Sequence, residues 1–289
     1  MVGLRVGLRY LAGAALLVLM SGHFASADVF TMDSFTVTTP AGTWFSDPFN
    51  GNNITMSGTV VSPVTAPGVF LPSGAPVKYV TSGSFTEDNH QATLDTTNGV
   101  LLSSPPPFNP IQQVTARWAG GFTPTFAFGT TGVFDLSEPS TTGAAYGIEM
   151  MDLTPSHKSD TIALRIFRTA LGTIIDFVNL DFFDNTLTVV DSVALDLTHD
   201  QIELDLAYDG STITGSYAYG DSGTFGALTA FSNTTTRDTN DGATSISPAF
   251  NAFTPVPEPG TLAVFLSGMA GLACLMRRKK STRRDTPTD

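Results

Sequence analysis

Cysteine is all but missing from these 289 residues; the single one, Cys274, sits in an apolar run near the C-terminus. No disulfide can staple the long region ahead of it, so a packed core alone must hold that region. With about 225 residues it is large enough to do so. Basic side chains are scarce too. From Asp28 to Glu258 there are six (Lys78, Arg117, Lys158, Arg165, Arg168 and Arg237) against 24 acidic ones, a net charge of about −18. Such a surface repels phosphate backbones, which excludes nucleic acid as a partner, and it repels anionic lipid. His90, His157 and His199 are too widely spaced for a zinc site. Helical periodicity is absent between Asp28 and Phe253.

What is present begins at the two ends. Arg5 and Arg9 precede the apolar stretch from Tyr10 to Met20, and small residues occupy Ala25, Ser26 and Ala27. This is the pattern of a secretory signal peptide over 1–27, helical in its apolar part, handled by the Sec machinery and cleaved after Ala25-Ser26-Ala27. At the other end a segment over 254–260 contains Val256-Pro257-Glu258-Pro259-Gly260. Its two prolines fix φ and remove amide donors, so it resists helix and strand and stays extended. An uncharged run over 261–276 follows, then Arg277, Arg278, Lys279 and Lys280 at the head of a basic tail over 277–289. The run is roughly 16 residues, short of the about 20 that span a bilayer, and snorkelling arginines make up the difference. By the positive-inside rule the basic tail stays cytoplasmic as the stop-transfer signal, and everything before the run crosses the membrane.

Val256 to Gly260, the apolar run and the basic cluster, in that order, resemble the PEP-CTERM sorting signal of bacterial surface proteins. The resemblance implies recognition and processing by an exosortase near Pro257-Glu258-Pro259. It also implies a Gram-negative host that makes exopolysaccharide, a transient stay in the inner membrane, and a final place at the cell surface or in the extracellular matrix. The same tail goes under an ice-binding name as well, although the sequence shows no regularly repeated threonine array.

Threonine, serine, valine and phenylalanine dominate residues 28–253, and turn residues recur, which predicts an all-β domain. Its clearest signal is a hairpin. Ile202, Leu204, Leu206 and Tyr208 alternate with Gln201, Glu203, Asp205 and Ala207; Asp209-Gly210 turns the chain, and 212–219 returns. Further strands are expected at 30–38, 54–61, 77–85, 114–118, 145–151, 161–167, 174–178 and 186–190, with proline-rich loops at 62–76 and 103–110. Strand number and length predict a two-sheet sandwich. The strand order from Ala145 to Phe225 resembles the concanavalin A-like lectin and glucanase jelly roll, whose curved sheet often holds sugar.

Glu203-Leu204-Asp205 is the sharpest candidate for chemistry. In laminarinase-type glycosidases of that fold an E-x-D-x-x-E run puts nucleophile, helper and acid on one strand face. Alternation does put Glu203 and Asp205 on a common face. The final glutamate is missing, however, and Tyr208 stands three residues beyond Asp205. A retaining hydrolase needs a second carboxyl at about 5 to 5.5 Å. No catalytic residue is therefore assigned. Gly220-Asp221-Ser222-Gly223 echoes a serine-protease loop, but no histidine stands in the needed context, and it reads as a turn. Asp181, Asp184 and Asn185, or Asp238, Asn240 and Asp241, bring oxygen ligands together without the spacing of a twelve-residue calcium loop, so calcium is the only cofactor raised and no metal site is assigned. Glu203, Asp205, Trp44 and Trp118 are the residues offered for glycan contact, since carboxylates and indoles suit sugar hydroxyls and sugar faces. The expectation is a non-catalytic surface or matrix protein with carbohydrate as its ligand. A glycoside hydrolase acting on exopolysaccharide through Glu203 and a purely structural matrix protein are the alternatives.

Overall fold

The computed structural model describes residues 28–49, 69–70, 79–88, 90–102, 110–118, 120–153, 161–181, 186–237 and 245–256. The predicted signal peptide, most of the sorting motif, the apolar run and the basic tail lie outside the described residues. So do the strand expected at 54–61, most of both proline-rich loops, His157, and the acidic stretches at 184–185 and 238–241. The described strands belong to one compact unit, Ser26–Pro255.

Among the described residues of this unit, twenty strands and one 3-10 turn follow one another. They are β1 (Val29–Thr39), β2 (Gly42–Asp47), β3 (Val69–Phe70), β4 (Tyr79–Ser82), β5 (Ser84–Asp88), β6 (Gln91–Asp95), the turn Thr96–Asn98, and β7 (Val100–Leu102). Next come β8 (Ile111–Trp118), β9 (Gly121–Phe122), β10 (Phe128–Asp135), β11 (Ala145–Leu153), β12 (Thr161–Thr169), β13 (Gly172–Asp181) and β14 (Thr186–Ala194). The chain closes with β15 (Gln201–Tyr208), β16 (Thr212–Asp221), β17 (Thr224–Phe225), β18 (Thr229–Ala230), β19 (Thr235–Thr236) and β20 (Ser245–Pro255). Two antiparallel sheets result. Sheet A runs β17-β16-β15-β10-β1-β6-β5, and sheet B runs β14-β13-β12-β11-β20-β8-β4, with short strands at their margins. The all-β, two-sheet jelly-roll sandwich expected from the sequence is the fold observed.

Alternation decides which face of each strand is buried. On β15, Ile202, Leu204, Leu206 and Tyr208 are buried while Gln201, Glu203 and Asp205 are half-buried and Ala207 is exposed. The same rhythm in β1 sends Phe30, Met32, Phe35 and Val37 inward. From sheet B, Tyr146, Ile148, Met150, Leu164, Ile166, Phe177 and Phe250 meet them in one core. Aromatic rings tie the layers together: Phe30 stacks on Tyr146 at 4.3 Å between centroids, and Phe35 meets Phe250 at 5.0 Å. Each such side chain contributes about 1.5–3 kcal/mol on full burial. That core does what disulfides do in smaller exported domains.

One expected strand divides in two. The stretch 77–85 is β4 in sheet B and β5 in sheet A, split at Gly83, whose φ of +81° turns the chain from one layer to the other. A Cβ there would lie 2.9 Å from the Gln113 carbonyl oxygen, so both the conformation and the space call for glycine. Strand β20 runs to Pro255, two residues past the end of the domain expected from the sequence.

Candidate functional site

The β15–β16 hairpin forms as its sequence predicts. Asp209 Oδ1 accepts hydrogen bonds from the Ser211 and Thr212 amides at 2.8 and 2.7 Å, and Gly210 takes φ +100°. This fixes the register, and a one-residue slip would turn Glu203 and Asp205 into the core. In that register both carboxylates stand on the outer face of sheet A. Asp205 lies opposite Thr131 of β10 and Ser216 of β16; Glu203 lies opposite Val133 and Ala218.

The row through Asp205 crosses five strands. Ser46 pairs with Thr36, Thr36 with Thr131, Thr131 with Asp205, and Asp205 with Ser216. Every member is a hydroxyl or a carboxylate, at a strand spacing of about 4.8 Å. Thr131 Oγ1 donates to Asp205 Oδ2 at 2.8 Å, Ser216 Oγ donates to Oδ1 at 3.3 Å, and Thr36 and Ser46 share a hydrogen bond of 3.1 Å. Burial lifts the Asp205 carboxyl above its ordinary value, and the two hydroxyls partly offset this. Burial also lifts that of Glu203, with the charge of Asp205 adding to it. Further along the same face, Gln91 Nε2 donates to Asp33 Oδ1 at 3.0 Å and to Asp135 Oδ2 at 2.7 Å, while Gln201 Nε2 donates to Asp33 Oδ2. Asp33 escaped sequence reasoning because a bulge in β1 between Met32 and Ser34 breaks the alternation there, and Gln91 and Asp135 join it from β6 and β10, distant in the chain.

Of the two tryptophans, Trp118 is not on this face. Trp118, offered for glycan contact, is 2% exposed in sheet B; its ring lies 5.4 Å from Phe122, and it is a core residue. An added Cβ on Gly120 would sit 2.4 Å from that indole, so the loop closes directly over it. Trp44 is partly buried against the same core from β2. Tyr208, at the position where the glycosidase run would carry its second glutamate, faces inward, and its hydroxyl donates to the Pro124 carbonyl. Ser222 and Gly223, with φ of +51° and +80°, make the tight turn between β16 and β17. His199 stacks on Tyr219 and shares a 2.9 Å hydrogen bond with Asp221. Among the described residues no group of three or more His, Cys, Asp or Glu could hold a metal ion.

Sheet B carries a second polar group that the sequence did not reveal. Glu149 on β11 and Asn251 on β20 lie on the face away from Ile148 and Met150, as do Arg165 on β12 and Asp176 on β13. Asn251 Nδ2 donates to Glu149 Oε2 at 2.6 Å, whereas Oε1 has no hydrogen-bond partner among the described residues. Burial pushes the Glu149 carboxyl up to about 8, against the pull of Arg165. Arg165 itself forks onto Asp176 at 2.8 and 2.9 Å, with the Phe167 and Phe253 rings against its guanidinium. Glu149 and Asn251 are 102 residues apart, so no local pattern could join them.

The PEP-CTERM protein-sorting motif is matched over residues 255–280. No curated protein matches the sequence. Among solved structures, the chain is similar to a GH43_12 retrieved from a capybara gut metagenome, at 10% identity and a TM-score of 0.40 over 72% of this chain and 34% of that one. It thus spans about a third of that protein's length. Lectin UEA-II, complexed with galactose, aligns at 10% identity and TM-score 0.41 over 66% of this chain and 92% of the lectin. A glycoside hydrolase family protein from Mycobacterium thermorestibile aligns at 12% identity and TM-score 0.37 over 74% and 90% of the two chains. Likenesses this distant carry no argument about activity.

Proposed function

We propose that this chain is an exported protein, sorted through its PEP-CTERM motif and processed by an exosortase, that holds carbohydrate at the cell surface or in the matrix without cleaving it. The observation that carries the binding part is the row Ser46, Thr36, Thr131, Asp205 and Ser216 beside Glu203 on the outer face of sheet A. Hydroxyls both donate and accept, and carboxylates accept from sugar hydroxyls, so such a row matches a polyhydroxylated chain laid across the strands. The surrounding negative charge favours neutral glycans over anionic ones. The position of the second glutamate, taken by the inward-facing Tyr208, supports binding without hydrolysis.

The test is retention of purified residues 28–260 on neutral exopolysaccharide or a glycan array. Retention is expected, falling at least tenfold in Thr131→Val/Asp205→Asn, and no retention on any glycan overturns the binding part. A parallel assay of reducing-sugar release decides the enzymatic question: release by the wild type that Glu203→Gln abolishes would make the protein a hydrolase.

A further inference from the structure

One polar atom at the head of β1 is left over. Asp28 stands just before that strand, 8% exposed, and its partners come from two distant segments. Its amide donates to Thr96 Oγ1 at 2.9 Å, and its carbonyl oxygen accepts from the Thr96 amide at 3.1 Å and from Thr96 Oγ1 at 2.8 Å. Thr96 is itself fully buried. Asp28 Oδ1 accepts from the Ser140 amide at 3.1 Å, in the connection between β10 and β11. Oδ2 is buried and has no hydrogen-bond partner among the described residues. Asp95, opposite Val29 on β6, is another acid, and its side chain accepts from the Thr97 amide. A buried carboxylate oxygen with neither donor nor counter-charge is costly.

We infer that the partner of Oδ2 is the α-ammonium that removal of residues 1–27 creates on Asp28 itself, so that the mature N-terminus is a clamped ion pair which the precursor lacks. When the leader is removed, water adds across the Ala27–Asp28 peptide bond. Its oxygen goes to the Ala27 carbonyl carbon, which departs as a carboxylate with the leader, and its two protons go to the Asp28 nitrogen. That nitrogen then carries three donors and a positive charge in place of one donor and none. One donor keeps the Thr96 hydrogen bond, and two are new. Only Cα and Cβ separate the nitrogen from the carboxyl, so the ammonium can approach Oδ2 with no movement of β1. In the unfolded chain the same two groups are free to rotate and water screens them. In the fold Thr96 and Ser140 hold both in a site largely withdrawn from water, where their attraction is stronger. The Sec route passes an unfolded chain, and this contact arises only once the leader is gone. Any residue left ahead of Asp28 forfeits the pair.

This inference rests on the chain being exported with loss of its leader, and the experiment separates the two. Intact mass of the protein recovered from its own host is expected to place Asp28 first, and a chain that begins elsewhere overturns the use of this pair in the cell. The pair itself is tested on two purified chains: residues 28–260 with Asp28 as the first residue, and the same chain preceded by Ser26 and Ala27, which keeps the peptide bond and moves the ammonium away. Ser26–Pro255 forms one compact unit, so both chains hold the whole core. At pH 6, where an α-amino group is charged, the chain that starts at Asp28 is expected to melt at least about 2 °C higher. Equal melting temperatures, or a lower one, overturn the inference. Asp28→Asn keeps an acceptor for the Ser140 amide and removes the negative charge, so it is expected to shrink that difference at least about twofold. A difference that Asp28→Asn leaves intact would assign the gain to the hydrogen bonds of the ammonium alone and overturn the role of Oδ2.

Discussion

Glu149 shows what one buried carboxyl does to stability. Its ordinary value is 4.5 and its folded value about 8, raised by desolvation, so the folded chain holds a proton there that the unfolded chain has lost at neutral pH. The stability it lends is complete below about pH 4.5 and drains away as pH rises through 8. Differential protonation of this size is worth a few kcal/mol. Glu149→Gln keeps the Asn251 hydrogen bond and removes the titration. Melting temperatures from pH 5 to 9 should therefore fall less in Glu149→Gln than in the wild type, and parallel curves would contradict the assignment. Arg165 and Asp176, on the same face, make the complementary case. Both are buried, so Asp176→Ala strands a guanidinium and should cost about 3–5 kcal/mol by urea denaturation. Replacing both partners by leucine should recover most of that loss.

Among the strands of eight residues or more, β10 and β20 are those the sequence hid, and both are central. In β10, Gly129 and Gly132 read as turn residues, yet Gly132 marks a close approach of the layers: a Cβ there would fall 2.6 Å from both Ile148 Cγ2 and Met32 Cε. Gly132→Val should cost at least about 2 kcal/mol in the same measurement, since the branched Ile148 methyl cannot retreat in a packed core even where the Met32 tip can. A neutral result would show that the two sheets stand further apart. In β20, Pro248 and Pro255 argued against a strand, and burial of both faces erased the alternation. Pro248 is tolerated because its missing amide falls in a gap, after the β9 pair at Ile246 and before the first β8 pair at Ala249. The β15–β16 hairpin was legible for the opposite reason, since one face is wet, one is dry, and Asp209-Gly210 fixes the turn. So Glu203 and Asp205 could be placed on one face from the sequence. Thr131, Thr36 and Ser46, which turn that pair into a row, come from strands 74 to 169 residues earlier than Asp205 in the chain.

At the scale of the molecule, charge is the property that three-dimensional structure changes least. The 24 acidic side chains from Asp28 to Glu258 face six basic ones, of which Arg165, Arg168 and Arg237 pair with Asp176, Glu138 and Asp152. Folding gathers the rest of the negative charge onto one small surface, and self-repulsion is greater there than in an expanded chain. Salt acts mainly on that repulsion, because exposed charges are screened over about 10 Å at 0.1 M, whereas the buried Arg165–Asp176 and Arg237–Asp152 pairs are shielded far less. Raising sodium chloride from about 10 mM to about 0.5 M at pH 7, where screening extends over only a few ångström, should therefore increase the melting temperature of residues 28–260 by several degrees. A reductant should leave it unchanged, since that region contains no cysteine. A melting temperature that falls with salt would mean that ion pairs, not self-repulsion, dominate the surface, and the preference for neutral glycans argued from its charge would lose its basis.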